Sequence, residues 1–321
     1  MDAEPQLTPE RVLRRLEWRV IRRLDGRLQG DYRTVFRGAG IDVVDLREYQ
    51  PGDDLRRIDW NVTARTDTPH VREYLEDREV TAWLVLDRSP SMGFGPVQRR
   101  KGIVLAELAA TVAQVLARGG NRVGAVLFDT AVQEVIPPAL GRTQVLRILS
   151  RLLAAPAPAP APPTAPARAR RSLRGRRRGA EHPRRPTALS VPLRAVLGIA
   201  RRRSLVVLVS DFISEPGWES ALGRLAQRHD VVAIQVVDPR EFELPSAGMI
   251  YVEDAETGEQ IFVDSDDPAF RERLRAAAQR RQAELQASAR AAGAALFTVS
   301  TDEDLVRALV RIAELRRRAR R

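Results

Sequence analysis

The stretch LVLDRSPSMGFG (residues 84–95) runs from an apolar strand into a carboxylate and two hydroxyls. Asp87, Ser89 and Ser91 alternate in it, and alternate residues of an extended chain point the same way. A turn with two glycines and a long helical pattern follow. We therefore expect three oxygen-bearing side chains to meet at the carboxyl end of a buried strand.

A second carboxylate follows another apolar strand. Asp211 comes directly after LVVLVS (205–210), and Thr187 begins the helix that precedes this strand. Ligands of doubly wound sheets sit beyond the carboxyl ends of the strands, where all five side chains would meet. Two carboxylates and three hydroxyls suit Mg²⁺ or Mn²⁺ better than zinc. The alternative is that Asp87 and the serines only cap the following helix.

The chain alternates between strand and helix patterns from residue 82 onward. The predicted strands are AWLVLD, RVGAVLF, VQEVIP, SLVVLVSDF, DVVAIQVVD and ALFTVS, with a hairpin near 249–263. One predicted helix begins near Pro96, and the others cover about 143–153, 188–201, 216–228, 268–292 and 302–318. This alternation predicts an α/β fold with a doubly wound, mostly parallel sheet.

Residues 1–81 are expected to form an N-terminal helix and a short β extension. Residues 9–28 have amphipathic helical spacing, which fits docking on the protein's own domain or lying on a membrane surface. The short strand patterns TVF, IDVVDL and HVREYL follow, broken by the loop QPGDDLRRIDWN. We predict two or three strands here that flank or extend the main sheet.

The net charge of +11 is concentrated in two segments. Residues 154–186 hold nine Arg and one Glu among many prolines, and residues 314–321 hold five Arg and one Glu. The first segment has too little apolar content to fold alone, so we predict a disordered loop inside a domain of residues 82–313. The second is predicted to be a basic tail. The rest of the chain is nearly neutral, which leaves only non-specific nucleic-acid binding through these two segments.

Cysteine is absent, which excludes disulfides, thiolate catalysis and Cys-based metal sites. The first residues show no signal-peptide pattern, and no apolar run has the length of a membrane span. We therefore expect a cytoplasmic protein, with peripheral membrane association left open. Lys101 is the one lysine among 53 basic residues. It is either a residue without a specific role on a solvated helix face or a functional residue.

Two sets of motifs resemble known families. LVLDRSPSM, Thr187 and LVSDF resemble the metal-ion-dependent adhesion site of von Willebrand factor A-type domains. Residues 38–65, GAGIDVVDLREYQPGDDLRRIDWNVTAR, closely resemble the signature of the domain-of-unknown-function 58 family, whose genes commonly accompany MoxR-type AAA+ ATPases. The resemblance implies a von Willebrand factor A-like domain. It also implies an ion held by Ser89, Ser91 and Thr187.

In that resemblance Asp87 and Asp211 would bind the ion directly or through water, and a partner's carboxylate would take the sixth position. Lys101 falls where the family often has a lysine. Charged and aromatic residues of the signature loop form a candidate partner surface together with this lysine. The full set is Arg47, Glu48, Asp53, Asp54, Arg56, Asp59, Trp60, Arg65 and Lys101. The alternative for the loop is an internal ion-pair network that holds the β extension on the core.

The resulting hypothesis is a non-catalytic, metal-dependent protein-interaction module. It would work with a MoxR-type AAA+ ATPase on a client protein that offers an Asp or Glu. The chain has no phosphate-loop, zinc-protease or nucleophile-elbow motif. A metal-dependent hydrolase or phosphatase with Asp87 as nucleophile is the enzymatic alternative, although Ser89 stands where such a site would want a second carboxylate.

The composition of residues 154–186 predicts that this segment is dispensable for folding, because loop length changes closure entropy only slowly. Replacement of residues 156–184 by a short Gly/Ser linker should leave the thermal midpoint nearly unchanged in differential scanning calorimetry. A large drop would mean that the segment packs on the domain.

Overall fold

The computed structural model describes residues 8–16, 45–50, 55, 58–73, 80–95, 99–154, 187–253 and 260–319. The strands are β1 (Asp45–Glu48), β2 (His70–Glu73), β3 (Thr81–Asp87), β4 (Arg122–Phe128), β5 (Val132–Ala139), β6 (Leu205–Ser210), β7 (Asp230–Val237), β8 (Met249–Glu253), β9 (Gln260–Asp264) and β10 (Ala295–Ser300). The helices are α1 (Pro9–Leu16), α2 (Trp60–Thr66), α3 (Lys101–Arg118), α4 (Gly141–Leu153), α5 (Ser190–Ile199), α6 (Trp218–Arg228), α7 (Pro268–Ala291) and α8 (Leu305–Ala319). Short 3₁₀ turns lie at Pro90–Gly93 and Pro239–Glu241.

Six strands form the central sheet in the order β10–β7–β6–β3–β4–β5. All neighbours are parallel except that the edge strand β5 runs antiparallel to β4. The inner strands are buried almost throughout. Continuous apolar runs of this kind are expected where helices cover both faces of a sheet. The predicted doubly wound, mostly parallel α/β fold is therefore confirmed.

Alternation along the strands divides the core into two layers. Leu84 and Leu86 of β3 face one layer, which α1, α3, α4 and α8 cover. Trp83 and Val85 face the other layer, which is covered by α5, α6 and the end of α7 near Leu285. Each layer buries apolar side chains from the same strands. Packing on both faces therefore fixes the strands in place, and with them the residues at their ends.

The edge strand β5 is irregular where it carries Pro137 and Pro138. Its pairing with β4 shifts in register between Val123, which faces Ala139, and Ala125, which faces Ile136. The two prolines fall in that gap, where the pairing with β4 requires no N–H donor from them. The carbonyl of Pro137 instead accepts a hydrogen bond from Gln144 Nε2 at 2.8 Å.

Helix α1 docks on the domain itself. It packs against α3 and α4, and Val12 and Leu13 are buried in the core layer on that side. The described part of the predicted 9–28 helix therefore docks on its own domain, as the first of the two alternatives predicts. Residues 17–28 lie outside the described residues.

The described strands of the β extension do not join the main sheet, so of the two predicted arrangements, flanking or extending that sheet, they do not show the second. β1 and β2 pair with each other, antiparallel, in a separate two-stranded sheet. Each is only four residues long. Helix α2 packs beside β2. The predicted strand TVF (34–36) lies outside the described residues.

Two further boundaries differ from the sequence predictions. Helix α3 begins at Lys101 and not near Pro96, since Arg100 is its N-cap and has an extended backbone. A Cβ at Gly95 (φ +142°) would lie 2.4 Å from the Arg99 carbonyl oxygen, so this close approach requires glycine. The predicted basic tail is part of the fold as far as Ala319, since α8 continues to that residue. Arg316 is buried there and pairs with Asp230. Residues 155–186, predicted to be disordered, lie outside the described residues.

A hairpin of β8 and β9 follows β7. Several of its apolar side chains are exposed, including Tyr251 and Phe262, whose rings pack together. Within the described ranges, no helix combines the length and the apolar character needed to cross a bilayer.

The packing of α1 predicts a measurable contribution to stability. Leu13→Ala should lower the free energy of unfolding by about 2–5 kcal/mol, because it removes a fully buried side chain between three helices. Glu10→Ala, an exposed position on the same helix, is the control and should change it by at most about 0.5 kcal/mol. Urea unfolding of both variants measures this, and equal effects would show that α1 is not part of the cooperative unit.

Candidate functional site

The candidate site is the rim of the sheet, meaning the ends of β3, β6 and β7 and the turns that follow them. Asp87 is the last residue of β3 and is 1% exposed. The N–H of Ser89 donates to its Oδ1 at 2.8 Å, and the Ser210 hydroxyl donates to its Oδ2 at 2.5 Å. Both carboxylate oxygens are thus held by neutral donors, one from the turn after β3 and one from β6.

Ser89 and Ser91 lie beside this carboxylate, as the sequence predicts. Both are buried, and their hydroxyl oxygens are 3.0 Å apart. Ser89 precedes the 3₁₀ turn at Pro90–Gly93, but its side chain makes no capping hydrogen bond to that turn. Simple helix capping therefore does not account for the Ser89 hydroxyl, which turns toward Ser91.

Asp211 follows β6 and brings a second buried carboxylate to the rim. Its Oδ1 accepts from the Ile213 N–H at 3.0 Å, and its Oδ2 accepts from Lys101 Nζ at 2.6 Å. The Lys101 ammonium also donates to Glu241 Oε1 at 2.5 Å and lies 5.9 Å from the centre of the Phe94 ring. These groups form the rim ion cluster, which we define as Lys101, Asp211 and Glu241.

The assignment of Lys101 to a partner surface is therefore wrong, and so is the alternative of a solvated helix face. Its side chain is completely buried. The side chain of this first residue of α3 reaches Asp211 after β6 and Glu241 after β7. A buried ammonium requires charged partners, and it has two carboxylates here.

Thr187 is also buried at this rim. Its carbonyl accepts from the Glu215 N–H at 2.9 Å, which ties it to the turn that follows Asp211. The five residues predicted to hold a metal ion are thus all buried, and all come from segments that end or begin at the same edge of the sheet. Which of them bind an ion stays a prediction.

Three participants were missed by the sequence analysis. Ser210 reaches Asp87 from the adjacent strand, and its position just before Asp211 was the available signal. Glu241 completes the rim ion cluster from the 3₁₀ turn after β7. Asp238 is fully buried at the end of β7, where it accepts from the Arg240 N–H at 2.9 Å and from the Thr301 hydroxyl at 2.6 Å. A carboxylate that directly follows a buried strand was the signal for Asp238.

The signature loop divides between structural and exposed residues. Asp59 is buried, and its Oδ1 accepts from the Val62 N–H at 3.3 Å in the first turn of α2. Trp60 is 70% exposed, and Arg65 on the same helix is exposed as well. Arg47 and Glu48 belong to β1, where Glu48 is exposed. Asp53, Asp54 and Arg56 lie outside the described residues.

The electrostatics of the rim are uneven. Burial and, after it, the neighbouring Asp211 carboxylate raise the pKa of Asp87 from its usual 3.8 to about 7, although hydrogen bonds from Ser210 and Ser89 oppose the shift. Burial lowers the pKa of Lys101, but the carboxylates of Asp211 and Glu241 outweigh it, so that this pKa is raised above its usual 10.5. Asp211 therefore has an internal cation beside it, whereas the ionised form of Asp87 is disfavoured.

The raised pKa of Asp87 predicts a pH-dependent stability. Between about pH 4 and pH 7 the folded protein holds a proton on Asp87 that the unfolded chain releases, so the free energy of unfolding falls as pH rises. From pH 5 to pH 8 this amounts to roughly 2–3 kcal/mol. Urea unfolding with EDTA measures this in the wild type and in Asp87→Asn. From pH 5 to pH 8, the free energy of unfolding should fall by roughly 2–3 kcal/mol less in Asp87→Asn than in the wild type. An unchanged pH dependence would contradict the assignment.

Comparisons with known proteins give one sequence relative and two distant structural likenesses. An uncharacterised protein of Mycobacterium bovis is 38% identical over 310 residues, which cover 96% of this chain and 89% of that protein. Two solved structures are similar at low identity. BatB from Bacteroides thetaiotaomicron (15% identical, TM-score 0.41) matches 75% of this chain and all of its own, and the SpRpn10 VWA domain (13% identical, TM-score 0.38) matches 73% of this chain and 94% of its own.

The doubly wound sheet itself, and not these distant likenesses, establishes the fold. The family resemblance of the signature loop is confirmed independently, because the family described as "Protein of unknown function DUF58" matches residues 45–284. That range contains β1 and β2, the whole rim and the rim ion cluster. The chain belongs to this family of unknown function.

Proposed function

We propose that this protein is a non-catalytic interaction module that binds Mg²⁺ or Mn²⁺ at the rim and presents it to a carboxylate of a partner protein. The observation that carries the proposal is the convergence of buried oxygen atoms around Asp87. The carboxylate and the Ser89 and Ser91 hydroxyls sit together, and the pKa of Asp87 is raised to about 7. A cation next to Asp87 would relieve the cost of its buried charge.

The chemistry of the donor set fits a small, hard cation. Carboxylate and hydroxyl oxygens are the ligands that Mg²⁺ and Mn²⁺ prefer. In the described parts of the chain, no three His, Cys, Asp or Glu side chains are grouped so that they could hold a metal ion. Ser89, Ser91 and Thr187 would therefore supply much of the coordination, and Asp87 would supply the charge.

The bound ion would supply one exchangeable coordination position, which a partner's Asp or Glu would fill. Asp211 and Glu241 line a cavity of about 280 Å³, together with Phe242, Leu274 and Arg281. A partner side chain in this cavity would meet the Asp211 side of the rim, since Asp87, Ser89 and Ser91 are not among the lining residues. Following the family resemblance, we propose a MoxR-type AAA+ ATPase and its client as the partners. The ATPase would act during assembly or remodelling of the client.

The surroundings of Asp87 favour a binding role over a hydrolytic one. A nucleophilic carboxylate must be ionised and reachable, but Asp87 is 1% exposed, both its oxygens accept hydrogen bonds and its pKa is raised. His229 precedes the first residue of β7, at the edge of the sheet opposite the rim, and His70 bonds to the Thr68 carbonyl. His182 lies outside the described residues.

The proposal predicts that Mg²⁺ stabilises the folded protein. An ion bound with a Kd of about 1 mM adds roughly 1.4 kcal/mol at about 10 mM Mg²⁺, a rise of a few degrees in the thermal midpoint. Asp87→Ala should still fold, since it removes one of two neighbouring like charges. It should lose the response to Mg²⁺, because it removes the carboxylate that would bind the ion. Glu272→Ala, at an exposed ion pair on α7, is the matched control and should keep it.

Binding of the partner should follow the same pattern. Pull-downs of the ATPase or its client should succeed with Mg²⁺ and fail with EDTA, and they should fail for Asp87→Ala, Ser89→Ala and Asp211→Ala. Capture that is equally strong without metal would show that the ion, if bound, has only a structural role, and the interaction model would fall.

A further inference from the structure

The Lys101 ammonium lies on the Asp211 side of the rim, beside the place that the proposed function assigns to a divalent ion. Its Nζ is 2.6 Å from Asp211 Oδ2 and 2.5 Å from Glu241 Oε1, and the side chain is completely buried. We propose that Lys101 is a built-in cation that occupies the Asp211 side of the rim and thereby weakens the divalent-ion site around Asp87. This inference rests on the proposed function and names the residue that sets the affinity for the ion.

The hydrogen bonds of Asp211 support this role. Its Oδ1 accepts from the Ile213 N–H and its Oδ2 accepts from the ammonium, so both oxygens are engaged by groups of this chain. A divalent ion that bound Asp211 directly would have to displace Lys101 from Oδ2. An ion held through Asp87 alone would lack the charge of Asp211, because the ammonium already neutralises that carboxylate.

Lys101 is held in place from three parts of the chain. The Phe94 carbonyl accepts from its backbone N–H at 2.8 Å, which places it at the start of α3. Glu241 is fixed in turn, because its Oε2 accepts from the Asp238 N–H at 3.2 Å in the turn after β7. The ammonium also sits at a helix N-terminus, where positive charge is unfavourable, so its position depends on the two carboxylates.

These contacts assign opposite roles to the two halves of the rim. The Asp211 half is neutralised by a tethered charge and needs no ion. The Asp87 half has hydroxyl ligands and no such contact with Lys101, so it is the half left for an exchangeable ion. Weak, exchangeable binding suits a site whose last coordination position belongs to a partner.

The test compares Mg²⁺ affinity between the wild type and Lys101→Met, measured on the full chain by calorimetric titration with MgCl₂. Titration with Mn²⁺, followed by electron paramagnetic resonance, provides a direct second readout. Lys101→Met should bind both ions roughly tenfold more tightly or better, because it removes the competing charge and frees Asp211. A residue with a merely structural role would not tighten ion binding.

The matched control is Arg316→Met, which also breaks a buried ion pair, with Asp230, but at the other end of β7. It should be destabilised in the same way and keep the wild-type affinity for Mg²⁺. If Lys101→Met does not fold alone, the double variant Lys101→Met/Glu241→Gln leaves one unpaired carboxylate fewer and serves in its place.

The outcomes separate the two proposals. Tighter binding in the lysine variant supports the role of Lys101. If only the variant binds, that role is supported while metal dependence of the wild-type protein is refuted. Equal or weaker binding in the variant overturns the role of Lys101 and leaves the metal site standing. No binding by either protein overturns both.

Discussion

Two carboxylates buried at the ends of adjacent parallel strands are the constraint on which the rest of the rim depends. Asp87 and Asp211 follow β3 and β6, which pair directly, and both are almost inaccessible to water. Charges removed from water are costly unless something compensates them. The two carboxylates are compensated differently. Asp211 accepts a hydrogen bond from an ammonium, whereas Asp87 accepts from hydroxyl and amide donors.

This asymmetry connects the architecture to function. The Asp211 side is a closed ion cluster that joins the start of α3 to the turns after β6 and β7, so it stabilises the relative placement of three elements. The Asp87 side keeps a carboxylate whose pKa is raised to about 7 and two neighbouring hydroxyls. A polar site that the fold leaves incompletely compensated is a natural place for a ligand, and similar perturbation is common at functional sites.

Much of the fold was predictable from residue patterns, but the chemistry of the rim was predictable only in part. Continuous apolar runs such as LVVLVS can be read as buried parallel strands because both faces must be apolar. Asp87, Ser89 and Ser91 lie together as predicted, but strand alternation is not the cause, because β3 ends at Asp87 and Ser91 lies in the 3₁₀ turn that follows. The partners of Lys101 were not predictable, because they are 110 and 140 residues away along the chain. Helical spacing after Pro96 also gave no sign that the helix would begin only at Lys101, with this side chain buried.

The prolines of β5 have a consequence for how this protein can be bound. An edge strand normally exposes a row of N–H and C=O groups to which a foreign strand can add. Pro137 and Pro138 interrupt that row of donors, and the Pro137 carbonyl is already engaged by Gln144. Growth of the sheet by strand addition is therefore blocked along this part of the edge. The same two residues disfavour edge-to-edge association of two copies through β5, which is a common route to aggregation of open sheets.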